Sequence, residues 1–158
     1  MKILVVYYSR DGLTRKIAAS LADLLKAESE ELVDLTNRRG LWGWLFAGRD
    51  ALKSKLTRLD LTAKSPADYD LVVVGSPVWA YHITPAIRTY LSANAGKIKK
   101  AAFFCTKGGG PTGKFFAEMA AVSGREPLAT LDIKRGEELT GIATHKIIQF
   151  VDEIKRNA

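Results

Sequence analysis

Three short segments of the chain carry residue types and spacings suited to holding an anion beside a flat ring. The first, "SRDGLT" (9–14), sets Ser9, Arg10, Asp11, Gly12, Leu13 and Thr14 between an apolar run and a stretch of helical periodicity. Backbone amides at a helix N-terminus, aided by hydroxyl donors, make a ready anion site. Asp11 opposes this, because its carboxylate stands where the anion would sit. Aspartate is equally a favoured helix cap, worth about 1 kcal/mol. The second segment, "GSPVWAYHITP" (75–85), places Trp79, Tyr81 and His82 directly after another apolar run. The third, "TKGGGPTGK" (106–114), presents the amides of Gly108, Gly109 and Gly110 almost without side chains.

The elements needed to bring these loops together are legible as an alternation. Residues 2–8 read as a buried strand, and Leu13, Ile17, Leu21, Leu24 and Leu25 mark one face of a helix. A weaker strand is expected at 30–35 and a helix at 45–56. Residues 69–75 form a strong third strand, rich in β-branched residues as in sheets buried on both faces. Pro85 suits the first turn of a helix running to about Leu91. A fourth strand at 100–106 leads to a helix at 113–124 closed by Gly124, and a fifth strand at 128–134 follows. The last helix carries Leu139, Ile142, Ile147, Phe150, Val151 and Ile154 on one stripe. Strands alternating with helices imply a single three-layer, doubly wound α/β domain on a five-stranded parallel sheet, residues 1–158. Such sheets bind ligands beyond the carboxyl ends of their strands, where all three loops would meet.

Composition narrows the partners. The 158 residues, 47% of them hydrophobic, suffice for one sizeable core. The longest apolar runs are strand-length, so no membrane span is expected, and the N-terminus lacks a leader's cleavage pattern. The single cysteine, Cys105, excludes an internal disulfide and agrees with a cytoplasmic setting. A net charge of +7 suits an anionic ligand or acidic partner. No lysine or arginine block accompanies it, which argues against nucleic acid.

Two other motifs fall short. "GGGPTGK" (108–114) approaches a P-loop, but Phe115 stands where a hydroxyl would hold magnesium. Cys105 has Pro111 six residues on, where a phosphatase cysteine would need arginine, and reads as a buried structural thiol. Together the three loops describe a flat, phosphorylated, redox-active ring system. Flavin mononucleotide (FMN) matches that description better than an adenine nucleotide.

At this point the chain resembles the flavodoxin family along essentially its whole length. "VVYYSRDGLTRKIA" resembles that family's first strand and S/T-x-T-G-x-T phosphate loop. "YDLVVVGSPVWAYHITPAIRTYL" resembles its third strand, G-[ST]-P-x-W flavin loop and following helix. The resemblance implies strand order 2-1-3-4-5 and the short-chain type, without an insertion in strand five. It implies that Ser9 to Thr14 wrap the FMN phosphate, that Ser76, Pro77 and Val78 line the ribityl chain, and that Trp79 lies against the isoalloxazine. Tyr81 belongs to the same loop, and Thr106, Lys107, Gly108, Gly109 and Gly110 would border the pyrimidine end. Asp11 departs from the family pattern, which has threonine there. Flavodoxin-like protoporphyrinogen oxidases carry R-D-G-x-T and still use FMN, so the carboxylate is expected to turn toward Arg10 or Arg15.

The resemblance also implies electron transfer. An acidic carrier with a tyrosine over its flavin is disfavoured by the basic charge and by a 106–113 loop without an aromatic. Electron transfer is therefore expected, as a flavin-dependent oxidoreductase (an NAD(P)H- or quinone-dependent reductase) or as an electron carrier, exchanging electrons with a redox partner protein or a small-molecule donor or acceptor. The alternative is a non-enzymatic binding module that kept the fold and lost the cofactor. His82 is as consistent with a structural role as with proton delivery, and His145 is expected at the surface. Trp42, Trp44 and Phe46 are expected on the ligand edge, as loop packing, substrate wall or homodimer contact.

Overall fold

A computed structural model describes residues 1–36, 49 and 56–158 of the protein. Five parallel strands form its sheet in the order β2-β1-β3-β4-β5. These are β1 (Ile3–Tyr7), β2 (Glu28–Glu31), β3 (Leu71–Pro77), β4 (Ala101–Lys107) and β5 (Pro127–Lys134). Between and after them run α1 (Leu13–Leu25), α2 (Pro85–Asn94), α3 (Gly113–Ser123) and α4 (Gly141–Asn157).

Period-two alternation divides the strands between two cores. Ile3, Val5, Leu71, Val73, Ala102, Phe104, Leu131 and Ile133 pack with Ile17 and Leu21 of α1 and Ile147, Phe150 and Ile154 of α4. Leu4, Val6, Val72, Val74, Phe103 and Cys105 pack on the other face with Ile87, Tyr90 and Leu91 of α2 and Phe115 and Met119 of α3. Three layers result, as the alternation requires. Gly75 is demanded by packing: a Cβ there would come within 1.9 Å of the Phe104 ring.

Most boundaries agree with the expected ones, and the exceptions are instructive. β2 is Glu28–Glu31 instead of 30–35, pairing Leu4 with Glu28 and Tyr7 with Glu31. Once Leu32 N has donated to Tyr7 O, β1 has ended and there is nothing left to pair with. The apolar end of the expected strand turns away instead, and Asp34 bridges antiparallel to Leu59. α4 begins after its cap, Thr140, so Leu139 precedes the helix, and Leu139 and Ile142, the latter in its first turn, are both exposed and outside the buried stripe. α2 starts at Pro85 as expected but continues to Asn94. His145 is exposed, and Cys105 is fully buried, which pushes its thiol up to about 12. Apart from Arg49 and Leu56, the expected helix at 45–56 lies outside the described residues, as do Trp42, Trp44 and Phe46.

Candidate functional site

Each of the three loops is built by local bonds at the carboxyl edge of the sheet. In the first, Gly12 initiates α1 with φ of 94°, a conformation glycine adopts without cost. The Ser9 hydroxyl accepts from Gly12 N at 3.1 Å and from Arg15 N at 3.2 Å. Asp11 Oδ1 accepts from Leu13 N at 3.3 Å. The amides of the first turn are thus gathered around two short polar side chains. Thr14 is buried and its hydroxyl meets that of Thr106 at 2.8 Å, tying α1 to the end of β4 beneath the loop.

Asp11 does not turn to Arg10 or Arg15. Its other carboxylate oxygen forms an ion pair with Arg135, which follows β5. Burial opposes ionisation of Asp11, but the hydrogen bonds from Arg135 and Leu13 N outweigh it and hold the carboxyl below its ordinary range. Arg15 is committed elsewhere, binding Glu31 through two nitrogens at 2.8 Å each. The Arg10 guanidinium lies over the Trp79 ring, 5.9 Å from its centroid.

The second loop is a tight mirror-image turn. Trp79 N donates to His82 O at 3.0 Å and His82 N returns to Trp79 O at 2.9 Å. Ala80 and Tyr81, between them, have φ of 48° and 66°. This is the two-residue turn geometry normally supplied by asparagine and glycine. Two non-glycine residues there cost roughly 1–2 kcal/mol each, which the flanking bonds offset. Glu118 of α3 supplies most of them. Its carboxylate accepts from Ile83 N at 3.1 Å, meets His82 Nδ1 at 3.2 Å and pairs with Arg88. Ser76 is fully buried and serves the same end, donating to Pro77 O at 2.9 Å and meeting Thr84 at 3.3 Å. The Trp79 ring stands edge-on to Tyr8, 5.7 Å between centroids.

In the third loop Lys107 points inward. Its ammonium donates to Asp132 at 2.5 Å and to Gly110 O at 3.0 Å, and Thr112 shares the same carboxylate at 3.0 Å. Burial works against the Asp132 charge, but Lys107, Thr112 and Lys146 together hold its carboxyl below the usual range. Lys107 therefore anchors the glycine loop to β5. Built-on Cβ atoms at Gly108 and Gly109 would meet nothing within 4 Å, so this part of the loop faces open space. At Gly110 a Cβ would come within 2.9 Å of the Tyr81 ring, so the exposed tyrosine of the second loop leans on the third.

These loops enclose a cleft of about 610 Å³. Val78 and Trp79 wall one side, Thr106, Lys107 and Gly108 another, and Arg10, Asp11, Leu13 and Arg135 form one end. Pro77 completes the lining. Ser9 opens instead onto a neighbouring groove beyond Arg10. Gly12, Thr14, Ser76, Tyr81, Gly109 and Gly110 shape the loops without lining the cleft. The arrangement suits a phosphorylated aromatic group, with the Arg10 and Arg135 guanidinium groups at one end, an indole in one wall and the bare backbone of Gly108 in another. Arg135, Asp132 and Glu118 were not expected from the sequence. Arg135 alone carried a signal there, as the first residue beyond the carboxyl end of the fifth strand. Among the described residues no cluster of histidine, cysteine or carboxylate side chains could hold a metal ion. No described helix is long and apolar enough to cross a membrane.

A family model described as flavodoxin matches residues 2–154. No curated protein matches. Among solved structures, the chain is similar to a flavoprotein in complex with FMN from Lactobacillus acidophilus, at 23% identity and TM-score 0.72, covering 83% of this chain and 92% of that one. It is also similar to two-electron reduced flavodoxin from Megasphaera elsdenii, at 15% identity and TM-score 0.59, covering 95% and 98%. A flavodoxin from the domain Archaea aligns at 14% identity and TM-score 0.62, covering 99% of each. At such identities these likenesses establish the fold.

Proposed function

The chain belongs to the flavodoxin family, and from that premise we propose that it binds FMN in the three-loop cleft and transfers electrons as an NAD(P)H- or quinone-dependent reductase. The observation that carries the cofactor is the joining of an α1 N-terminal loop, the Trp79 wall and the Gly108 backbone around one cleft. Bound there, FMN would supply the redox chemistry. The chain's own contribution would be to hold the phosphate at the end of the cleft lined by Arg10, Asp11, Leu13 and Arg135, seat the ring against Trp79, and keep the glycine loop in place through Lys107 and Asp132. A similar FMN-bound flavoprotein in L. acidophilus supports the same assignment.

Reductase activity is favoured over one-electron shuttling by the +7 charge and by a third loop without side chains at Gly108 and Gly109. A small donor or acceptor, or a redox partner protein, would exchange electrons there. The buried lone Cys105 agrees with a reducing cytoplasm. The Asp11–Arg135 pair weakens the alternative of a fold that lost its cofactor, because the carboxylate is compensated.

The test is calorimetry of the flavin-free protein with FMN, riboflavin and FAD, followed by stopped-flow mixing of the FMN-loaded protein with NAD(P)H and with quinones. Tight FMN binding, with riboflavin markedly weaker, is the expected result. Equal affinity for riboflavin and FMN would overturn the phosphate assignment. Loaded protein that exchanges electrons with neither NAD(P)H nor quinone would overturn the reductase reading.

A further inference from the structure

The phosphate end of the cleft contains a carboxylate. Asp11 accepts from Leu13 N, one of the amides that would otherwise face a bound anion. A dianionic phosphate beside an uncompensated carboxylate is repelled, and because the phosphate is dianionic the repulsion survives partial screening at the edge of the protein. Neither of the loop's own arginines is the ion-pair partner of Asp11: Arg15 binds Glu31 and Arg10 lies over Trp79. Compensation comes from the far side of the sheet, 124 residues away in sequence.

Arg135 is positioned for this by a rigid turn. Its backbone N–H donates to Lys107 O at 2.8 Å, fixing it to the end of β4. Gly136 turns the chain with φ of 99°, and its N–H donates to Glu138 at 2.6 Å. Lys134 N donates to Glu137 at 3.0 Å, closing the turn from the other side. The Arg135 side chain then reaches Asp11 across the mouth of the cleft that both residues line.

Resting on the FMN reading above, we propose that Arg135 is a specificity-determining residue of the phosphate end. By cancelling the Asp11 charge it makes the acidic loop accept a phosphate and select the phosphorylated flavin over riboflavin. An ordinary exposed ion pair contributes little to stability and would leave that selection untouched. The two roles therefore separate by measurement.

The experiment uses the full chain freed of flavin, with dissociation constants for FMN and riboflavin measured on the wild type and on Arg135→Gln, Arg135→Lys, Asp11→Asn and the Asp11→Asn/Arg135→Gln double variant. Arg135→Gln should weaken FMN about ten-fold, as expected for an exposed unit charge left uncompensated, while riboflavin stays within about two-fold. Arg135→Lys should retain most of the FMN affinity, and Asp11→Asn alone should tighten it. The double variant should recover most of the Arg135→Gln loss, because the repulsive partner is gone. Equal losses for FMN and riboflavin, or a double variant as weak as Arg135→Gln, would overturn the proposal. Wild-type protein that fails to bind FMN would overturn the cofactor reading itself, an outcome visible in the first titration and separate from any variant.

Discussion

Asp11 meets two donors at once, the Leu13 amide and the Arg135 guanidinium, and so braces the turn before α1, whose cap is Gly12, while lying at the end of the cleft. Trp79 is similarly double-sided, with Tyr8 edge-on at 5.7 Å and Arg10 over its ring. An indole fixed in this way should quench a flavin seated against it. Bound FMN is therefore expected to be weakly fluorescent, and Trp79→Ala should restore part of the emission and weaken binding by about five-fold, the equivalent of roughly 1 kcal/mol of ring contact. Unquenched emission from the wild type would place the indole elsewhere. Thr14 works below the surface, its hydroxyl buried against Thr106. Thr14→Val should cost about 1–3 kcal/mol of stability, since it leaves the Thr106 hydroxyl buried without this partner. Denaturant unfolding measures that directly, and an unchanged midpoint would show that the pair contributes nothing.

At the scale of elements, the Trp79–His82 turn stores strain that α3 holds in place through Glu118. Ala80→Gly should stabilise the fold by up to about 1 kcal/mol, because glycine adopts φ of 48° without a Cβ clash. A lower denaturation midpoint would contradict the strain. Glu118→Ala should cost about 3 kcal/mol, leaving the buried Arg88 without its carboxylate. The strands β1, β3 and β4 and the loops that follow them were legible because apolar runs and loop chemistry are local signals. Glu118 was not legible: a glutamate within a helix has no local feature that points to a turn 35 residues away. Asp132 read as part of an ordinary strand until β4 and β5 were placed side by side with Cys105 opposite it. Lys107 lines the cleft from its position in the loop, but that its ammonium is held by Asp132 is a pairing no local signal announces. β2 was displaced because its register is set by where β1 ends, and the apolar residues after Glu31 suggested a longer strand than β1 can pair.

For the whole molecule, charge has to be counted after pairing. Lys107 is neutralised by Asp132, and Arg135 by Asp11, yet the net charge stays at +7. Reduction that adds negative charge to a flavin should therefore be easier than in an acidic carrier. Spectroelectrochemical titration at neutral pH should find the two one-electron potentials close together. A widely separated, very negative second potential would return the protein to the carrier class. Acid behaviour follows from Asp132, whose folded pKa lies below the ordinary value. A depressed carboxyl stabilises above its unfolded pKa of about 4, and that contribution fades as pH falls through the folded value. The destabilisation caused by Asp132→Asn should accordingly be full at pH 7 and shrink below about pH 4. A penalty independent of pH would show that the amide disturbs packing and not charge.

The acidic β2 strand has a further consequence at this scale. An outermost strand leaves a row of backbone groups able to recruit another chain and seed aggregation. Here that strand reads Glu-Ser-Glu-Glu, with Glu28 reached by Lys64 and Lys2 and Glu30 accepting from Ala63 N. Charge, together with the segment bonded to it, guards the sheet against self-templating. The weakness of the strand as a hydrophobic pattern thus doubles as a deterrent to pairing with another chain.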